Sequence, residues 1–315
     1  MEAASQAAPQ FSVEQQYTLL DAASLWPVGF REWRSTGDLA KSFSCGTGIG
    51  NVTGRDFAEA HLEACCRAGL SMTGLTAAAA PGQWSYNLGP CQGVELGDQL
   101  WLSRYILLRL TEQFKVIASL DPKPVPGDWC SSGAPVKYST ADTRNPAVGL
   151  HAVDAHIRCL QQNHLQHIMV CGPGNARRLT GLHKTSSAML FTAAIEDRAA
   201  SIRVPQSTVV RGCGYYEDRR PASNMDPWLV TMMLACTTLG IPLPLGLGMD
   251  KPREVSAQSS SDATTSCAGS SALIDEIDHN AVMGPSTPDD MPGALAHECA
   301  ASEAHSLTGL KLSSH

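Results

Sequence analysis

The stretch from Arg198 to Trp228 reads RAASIRVPQSTVVRGCGYYEDRRPASNMDPW. It sets Arg198, Arg203, Arg219 and Arg220 around the acid pair Glu217 and Asp218, with Pro205 and Pro221 as punctuation. Ser201-Ile202-Arg203-Val204 and Tyr215-Tyr216-Glu217-Asp218-Arg219 have the alternation of strands, so the charges are expected on a sheet that lines a partly buried groove. Arginines so placed clamp phosphate or carboxylate with two parallel hydrogen bonds. An ion-pair network that serves only the fold explains the same residues, and the stretch alone does not choose between the two. Asp226 before Pro227 is a helix N-cap, and it opens a last helix to about Leu239.

Outward from this stretch, a short Ala/Gln/Ser leader over residues 1–10 precedes a strand at Phe11 to Leu20. Ala22 to Ser44 is loop-like, with Trp26, Pro27, Phe30 and Trp33 available for local packing. Arg55 to Leu70 is an amphipathic helix with Phe57, His61, Cys65 and Ala68 on one face, where His61 is a packed residue rather than a ligand. Cys65 and Cys66 are read as core filling. Ser71 to Ala80 and Gln83 to Gly89 form two strands joined at Pro81 and Gly82. Gly97 to Phe114 is the strongest helix, with Leu100, Leu107, Leu110 and Phe114 on one stripe and Trp101, Tyr105 and Leu108 widening it. A buried strand at Val116 to Leu120, a proline-fixed loop to Trp129, a helix over 146–163 and a strand at His167 to Cys171 follow.

The 315 residues, 43% of them hydrophobic, suffice for one large domain or two small ones. A net charge of -7 and an isoelectric point near 5.8 leave no basic footprint for nucleic acid. Eleven cysteines without CxxC spacing, no apolar signal segment and no long apolar run point to a cytoplasmic chain with free thiols, away from membranes. Beyond about Leu245 the composition shifts to Ser, Ala, Thr, Pro and Asp, as in AQSSSDATTSCAGSSA. Such a segment buries too little apolar surface to offset its ordering entropy, so 246–315 is expected to be a disordered tail.

Six motifs, in order along residues 10–240, carry a resemblance: VEQQYTL at 13–19, GQWSYNLGPCQG at 82–93, DPKPVPGDW at 121–129, NARRLTGLHKTS at 175–186, ASIRVP at 200–205 and GYYEDRRPASNMDP at 214–227. Together they resemble the catalytic domain of glutamine synthetases of the eukaryotic type. The resemblance implies an α+β fold, a curved antiparallel sheet flanked by helices over residues 11–245, without the small N-terminal β-grasp domain of the family. It also implies the family's reaction, in which ATP phosphorylates the side-chain carboxylate of glutamate and ammonia displaces the phosphate. That chemistry calls for ATP with Mg2+ or Mn2+ held by carboxylates, and for arginines.

Position by position, the resemblance implies a damaged site. The family's E-Q-E-Y-T is Glu14-Gln15-Gln16-Tyr17-Thr18 here, its A-E-V is Ala77-Ala78-Ala79, and its Q-W-E is Gln83-Trp84-Ser85. Gln16, Ala78 and Ser85 thus replace three anionic ligands of one metal. At the second metal Glu14 and Glu217 match, but the histidine ligand falls on Pro135, and the neighbouring N-G pair that binds glutamate is Cys130-Ser131. In the flap, H-E-T-S is His183-Lys184-Thr185-Ser186, so Lys184 reverses the charge at the ammonium site. Arg178, Arg198, Arg203 and Arg219 match arginines that contact glutamate or phosphate, and Trp129 and Ser139 match positions near glutamate and nucleotide. Three readings remain open: a pseudoenzyme with no cofactor that acts as a binding or structural protein, an ATP-dependent ligase working through Glu14, Glu217 and the arginines, and a copy without selected function. A homo-oligomer or co-assembly with an authentic glutamine synthetase is the partner expected.

Overall fold

The first strand, β1 (Gln10–Asp21), shows why the chain forms a sheet with two unlike faces. Its alternate residues Phe11, Val13, Gln15, Tyr17 and Leu19 are buried, while Ser12, Glu14 and Gln16 between them stay partly open. The computed structural model describes residues 6–30, 44–48, 51–127 and 129–243, all within the first of the chain's two units, Met1–Ser266. Trp33 and the expected tail over 246–315 lie outside the described residues. Before β1, the Ala7 and Ala8 carbonyls accept hydrogen bonds from the Ala141 amide and the Arg144 guanidinium, so the described chain already packs inside the expected leader.

The remaining strands are β2 (Met72–Ala77), β3 (Gln83–Gln92), β4 (Val116–Ser119), β5 (Val136–Ser139), β6 (Ala193–Ile195), β7 (Ile202–Val204) and β8 (Tyr216–Asp218). They run in the order β2-β3-β1-β5-β8-β7-β6, with β4 also on β1. Every pairing is antiparallel except that of β6 with β7. The helices are α1 (Arg55–Arg67), α2 (Glu95–Phe114), α3 (Gly149–Gln162), α4 (His164–Val170), α5 (Gln206–Arg211) and α6 (Pro227–Leu239). Phe57, Leu100, Leu107, Ile157, Leu160, Val230 and Leu234 from four of these helices share one core with Phe11, Val13, Tyr17, Leu19, Trp84 and Tyr86 of the sheet. The fold is α+β, and the helical layer leaves the face that carries Glu14 and Gln16 free for a site.

Several expectations are met in detail. Asp226 caps α6, its carboxylate accepting from the Trp228 and Leu229 amides. His61 is fully buried on α1, with Nε2 on the Ser103 carbonyl. Others need correction. His167 to Cys171 is not a strand: α4 runs to Val170, because His164 and His167, three apart, turn inward together, and His167 Nε2 meets Thr237 Oγ1 of α6. The charged stretch is not sheet throughout, since α5 separates β7 from β8, ended by Gly212 at φ 70°. Trp101, Tyr105 and Leu108 do not widen the buried stripe of α2 but are exposed on its flank. On β4 only Ala118 is buried, and Cys66 is exposed while Cys65 fills the core.

Three buried histidines set a pH limit on this fold. Burial lowers His61 and His156 to about 4 and His167 to about 3. In the unfolded chain each takes up its proton near 6.5, so between that value and 4 the unfolded chain binds more protons than the folded one. Stability is therefore complete above about pH 6.5 and falls as the pH drops through that window. The urea midpoint is expected to fall steadily between about pH 7 and pH 4.5; a flat profile would contradict the burial of neutral imidazoles.

Candidate functional site

Strand alternation divides the charged stretch between the two faces of the sheet. On β8, Glu217 points to the open face and Asp218 to the helices. Asp218 pairs with Arg220 through two bonds, Oδ1 to Nε at 2.9 Å and Oδ2 to Nη2 at 2.8 Å, with both side chains at 1% exposure or less. Burial acts to raise the Asp218 carboxyl, but the Arg220 guanidinium outweighs it and holds the group below the usual carboxylate range. This pair is structural, and His164 Nδ1 lies 3.3 Å from Arg220 Nη1 behind it.

On the open face, Arg203 of β7 sits opposite Glu217 in the antiparallel pairing. Glu217 Oε1 is 3.0 Å from Arg203 Nη1, and Oε2 is 3.4 Å from Arg219 Nη1. Arg203 also reaches Glu196, and Arg219 donates through Nε to the Arg198 carbonyl at 2.9 Å. Arg178 approaches from the loop after α4, giving hydrogen bonds to the Arg219 and Arg220 carbonyls at 2.9 and 3.2 Å. Burial, with Arg219 alongside, lowers it to about 10. Gly133 lies under its guanidinium, where an added Cβ would sit 2.5 Å from Nη2 and would push the guanidinium aside.

These groups line a cleft of about 400 Å³. Of the residues singled out from the sequence, it gathers Glu14, Gln16, Ala78, Ser85, Pro135, Arg178, Lys184, Arg198, Arg203, Glu217 and Arg219. Gln16 and Ser85 are direct cross-strand neighbours on β1 and β3. Gln16 Oε1 accepts from the Gly133 backbone amide at 2.8 Å, and the Gln16 backbone N–H donates to the Gly133 carbonyl at 3.1 Å, so this residue clips a loop. The Ser85 hydroxyl faces the Thr76 carbonyl at 3.5 Å, and Pro135 offers only its carbonyl, which accepts from the Glu14 amide. Lys184 and His183 are both in the left-handed region, at φ 60° and 52°. Their turn is tied down by Thr185 Oγ1, which donates to the Leu182 carbonyl at 2.7 Å and lies 3.0 Å from that of Arg178.

Two expected residues are not brought to the cleft. Trp129 is buried in a separate cluster with Ala80 and Val125, edge-on to Phe30. Ser139 Oγ accepts from Arg144 Nη1 at 2.9 Å, also away from the lining. One supporting network went unread in the sequence. Arg104 of α2, buried at 3% exposure, donates to Gln15 Oε1 at 2.7 and 3.1 Å and to the Ser223 and Met225 carbonyls, joining α2, β1 and the segment after β8. Its signal was Gln15, an amide at an inward position of β1. Among the described residues, no group of three or more His, Cys, Asp or Glu side chains is placed to hold a metal ion, and no helix is long and apolar enough to cross a membrane.

No family model matches the chain. It is 45% identical over 241 residues to the glutamine synthetase cytosolic isozyme of Chlamydomonas reinhardtii, covering 76% of this chain and 62% of that protein. It is 46% identical over 231 residues to the glutamine synthetase nodule isozyme of Lupinus luteus, covering 73% and 65%. With a glutamine synthetase of Dunaliella salina the identity is 43% over 233 residues, covering 73% and 98%. The chain thus spans under two thirds of the length of the first two relatives.

The two ion-pair systems differ in what they tolerate. Asp218→Asn leaves Arg220 buried without a counterion and is expected to cost about 3–5 kcal/mol in urea unfolding. Glu217→Gln, in the cleft wall, leaves an amide oxygen for one of its two arginines and is expected to cost about 1–2 kcal/mol. Equal losses would contradict the division of roles.

Proposed function

The chain belongs to the glutamine synthetase family, and we propose that it is a member without glutamate-ammonia ligase activity, a cytoplasmic pseudoenzyme that acts by binding. One observation carries this reading: the positions that the resemblance assigns to the metal ligands converge on a single cleft wall, and their side chains do not suit a divalent cation. Hard cations need several oxygen ligands, mostly anionic. Gln16 has its amide oxygen on Gly133, Ala78 has no ligand atom, and Ser85 offers one neutral hydroxyl. At the second position Pro135 has no side-chain donor, and both Glu217 oxygens face arginines. Among the described residues that leaves Glu14 as the one lining carboxylate not bonded to an arginine.

The flap supports the same reading. A glutamate there would draw ammonium inward, whereas Lys184 presents the opposite charge on a turn held by Thr185. Phosphoryl transfer depends almost wholly on positioning and charge neutralisation, so losing the metals removes most of what the reaction needs. Binding to copies of itself or to a catalytically complete relative follows as the partner class, since such a chain would act through the assembly it joins.

The purified chain is expected to form no glutamine from glutamate, ammonium and ATP, with Mg2+ or with Mn2+, above the rate of a heat-denatured control. Glutamine formation that depends on both ATP and metal would overturn the proposal.

A further inference from the structure

Among the described residues, the solvent side of α2 carries an apolar face that no other element covers. Asp98, Trp101, Tyr105, Leu108 and Glu112 recur along it at steps of three and four, and all five are exposed, Tyr105 at 60% and Leu108 at 53%. The stripe lies across the helix from Leu96, Leu100, Ser103 and Leu107, which α2 buries in the core. Leu102 extends it on one side and Trp228 of α6 on the other, the Trp228 ring 6.1 Å from that of Trp101. Trp101 is held from behind, with the Arg104 guanidinium 5.1 Å from its ring centre, and Trp228 Nε1 donates to Asp98 Oδ1 at 3.1 Å. Apolar side chains at such steps form the seam of a coiled coil, and a seam left in water marks a site of association.

The order of charges along the stripe selects the partner. Laid antiparallel against a second copy of itself, with the two-fold axis between Ile106 and Leu107, α2 sets Tyr105 against the partner's Leu108 and Leu108 against the partner's Tyr105. Asp98 then meets the partner's Lys115, which is exposed at the far end of the helix as its C-cap. Trp101 faces the partner's Glu112, whose charge is offset by an arginine as Glu112 is by Arg109 at 2.6 Å. Each contact occurs twice by symmetry, as a closed interface between identical chains requires. A parallel pairing would instead set Asp98 against Asp98 and Glu112 against Glu112, which repel. We infer that α2 is the contact through which two copies of this chain associate, antiparallel, on Trp101, Tyr105 and Leu108. The inference rests on the self-association proposed above and names the face that carries it. Trp101 and Tyr105 are residue types that anchor interfaces, and Trp101 is already ordered by its neighbours, so little is lost in fixing it.

Sedimentation velocity of the full chain from about 1 to 200 μM tests this, since one helix face per partner makes a small interface. A monomer–dimer equilibrium is expected within that range. Leu108→Glu, on the exposed face, is expected to weaken it roughly tenfold or more while the circular dichroism and the urea midpoint stay unchanged. Asp98→Lys and Lys115→Asp are each expected to weaken it roughly fivefold, and the chain carrying both to return within about twofold of the original, because the swap restores the opposite charges. A chain that stays monomeric throughout, whether its face is bare or closed by another part of the chain, would overturn the inference. So would a dimer that Leu108→Glu leaves intact, or a double swap weaker than either single change. Any of these results without glutamine formation leaves the absence of ligase activity standing; glutamine formed by a dimer that obeys the swap would overturn that reading alone.

Discussion

The site depends on one cross-strand contact, Glu217 of β8 facing Arg203 of β7. Side chains on a strand alternate with a period of two, so placing Glu217 in the cleft sends Asp218 to the other face. There it meets Arg220 under the helices. A slip of one residue would bury the Glu217 network among apolar helices and expose the Asp218 pair, so burial on one side fixes the register on the other. The cleft is organised by a constraint that lies mostly behind it.

The same period explains how a site can lose its ligands while the sheet persists. Gln16 and Ser85 face the cleft, and their chain neighbours Tyr17 and Trp84 are fully buried in the core. Substitution on the open face changes the electrostatics of the cleft without touching core packing. Gln16 has a structural task there, its Oε1 accepting from the Gly133 amide. On the proposed reading, what is lost with the carboxylates is negative charge, and what remains is an arginine array built into the sheet and the loop after α4. Such an array differs in chemistry from a weakened metal site, because its field has the opposite sign.

Much of the fold was legible because long periodic segments carry their own signal. The alternation of β1, the apolar stripe of Leu100 and Leu107 and the cap at Asp226 each depend on local sequence. The failures were short elements. Seven residues at His164–Val170 hold too few turns to separate helix from strand, and α5 hides between two charged strands because Pro205 and Gly212 look like loop residues as readily as helix ends. The four-residue β5 forms because the longer β1 pairs with it, and the three-residue β6 forms only by pairing with the equally short β7. Within the site, many of the residues quoted from the motifs line one cleft, while Trp129 packs in a separate cluster and Ser139 holds Arg144, since matching a family position does not say which way a side chain turns. Arg104 was missed since its partners lie 89 to 121 residues away.

The central claim is that the lining of the cleft does not suit a divalent cation, and the most direct measurement is titration of Mn2+ into the purified chain while the free ion is followed by electron paramagnetic resonance. The signal of free Mn2+ is expected to rise in proportion to the metal added, with no saturable loss at micromolar concentrations. Depletion of one or two ions per chain in that range, abolished by Glu14→Ala, would contradict it.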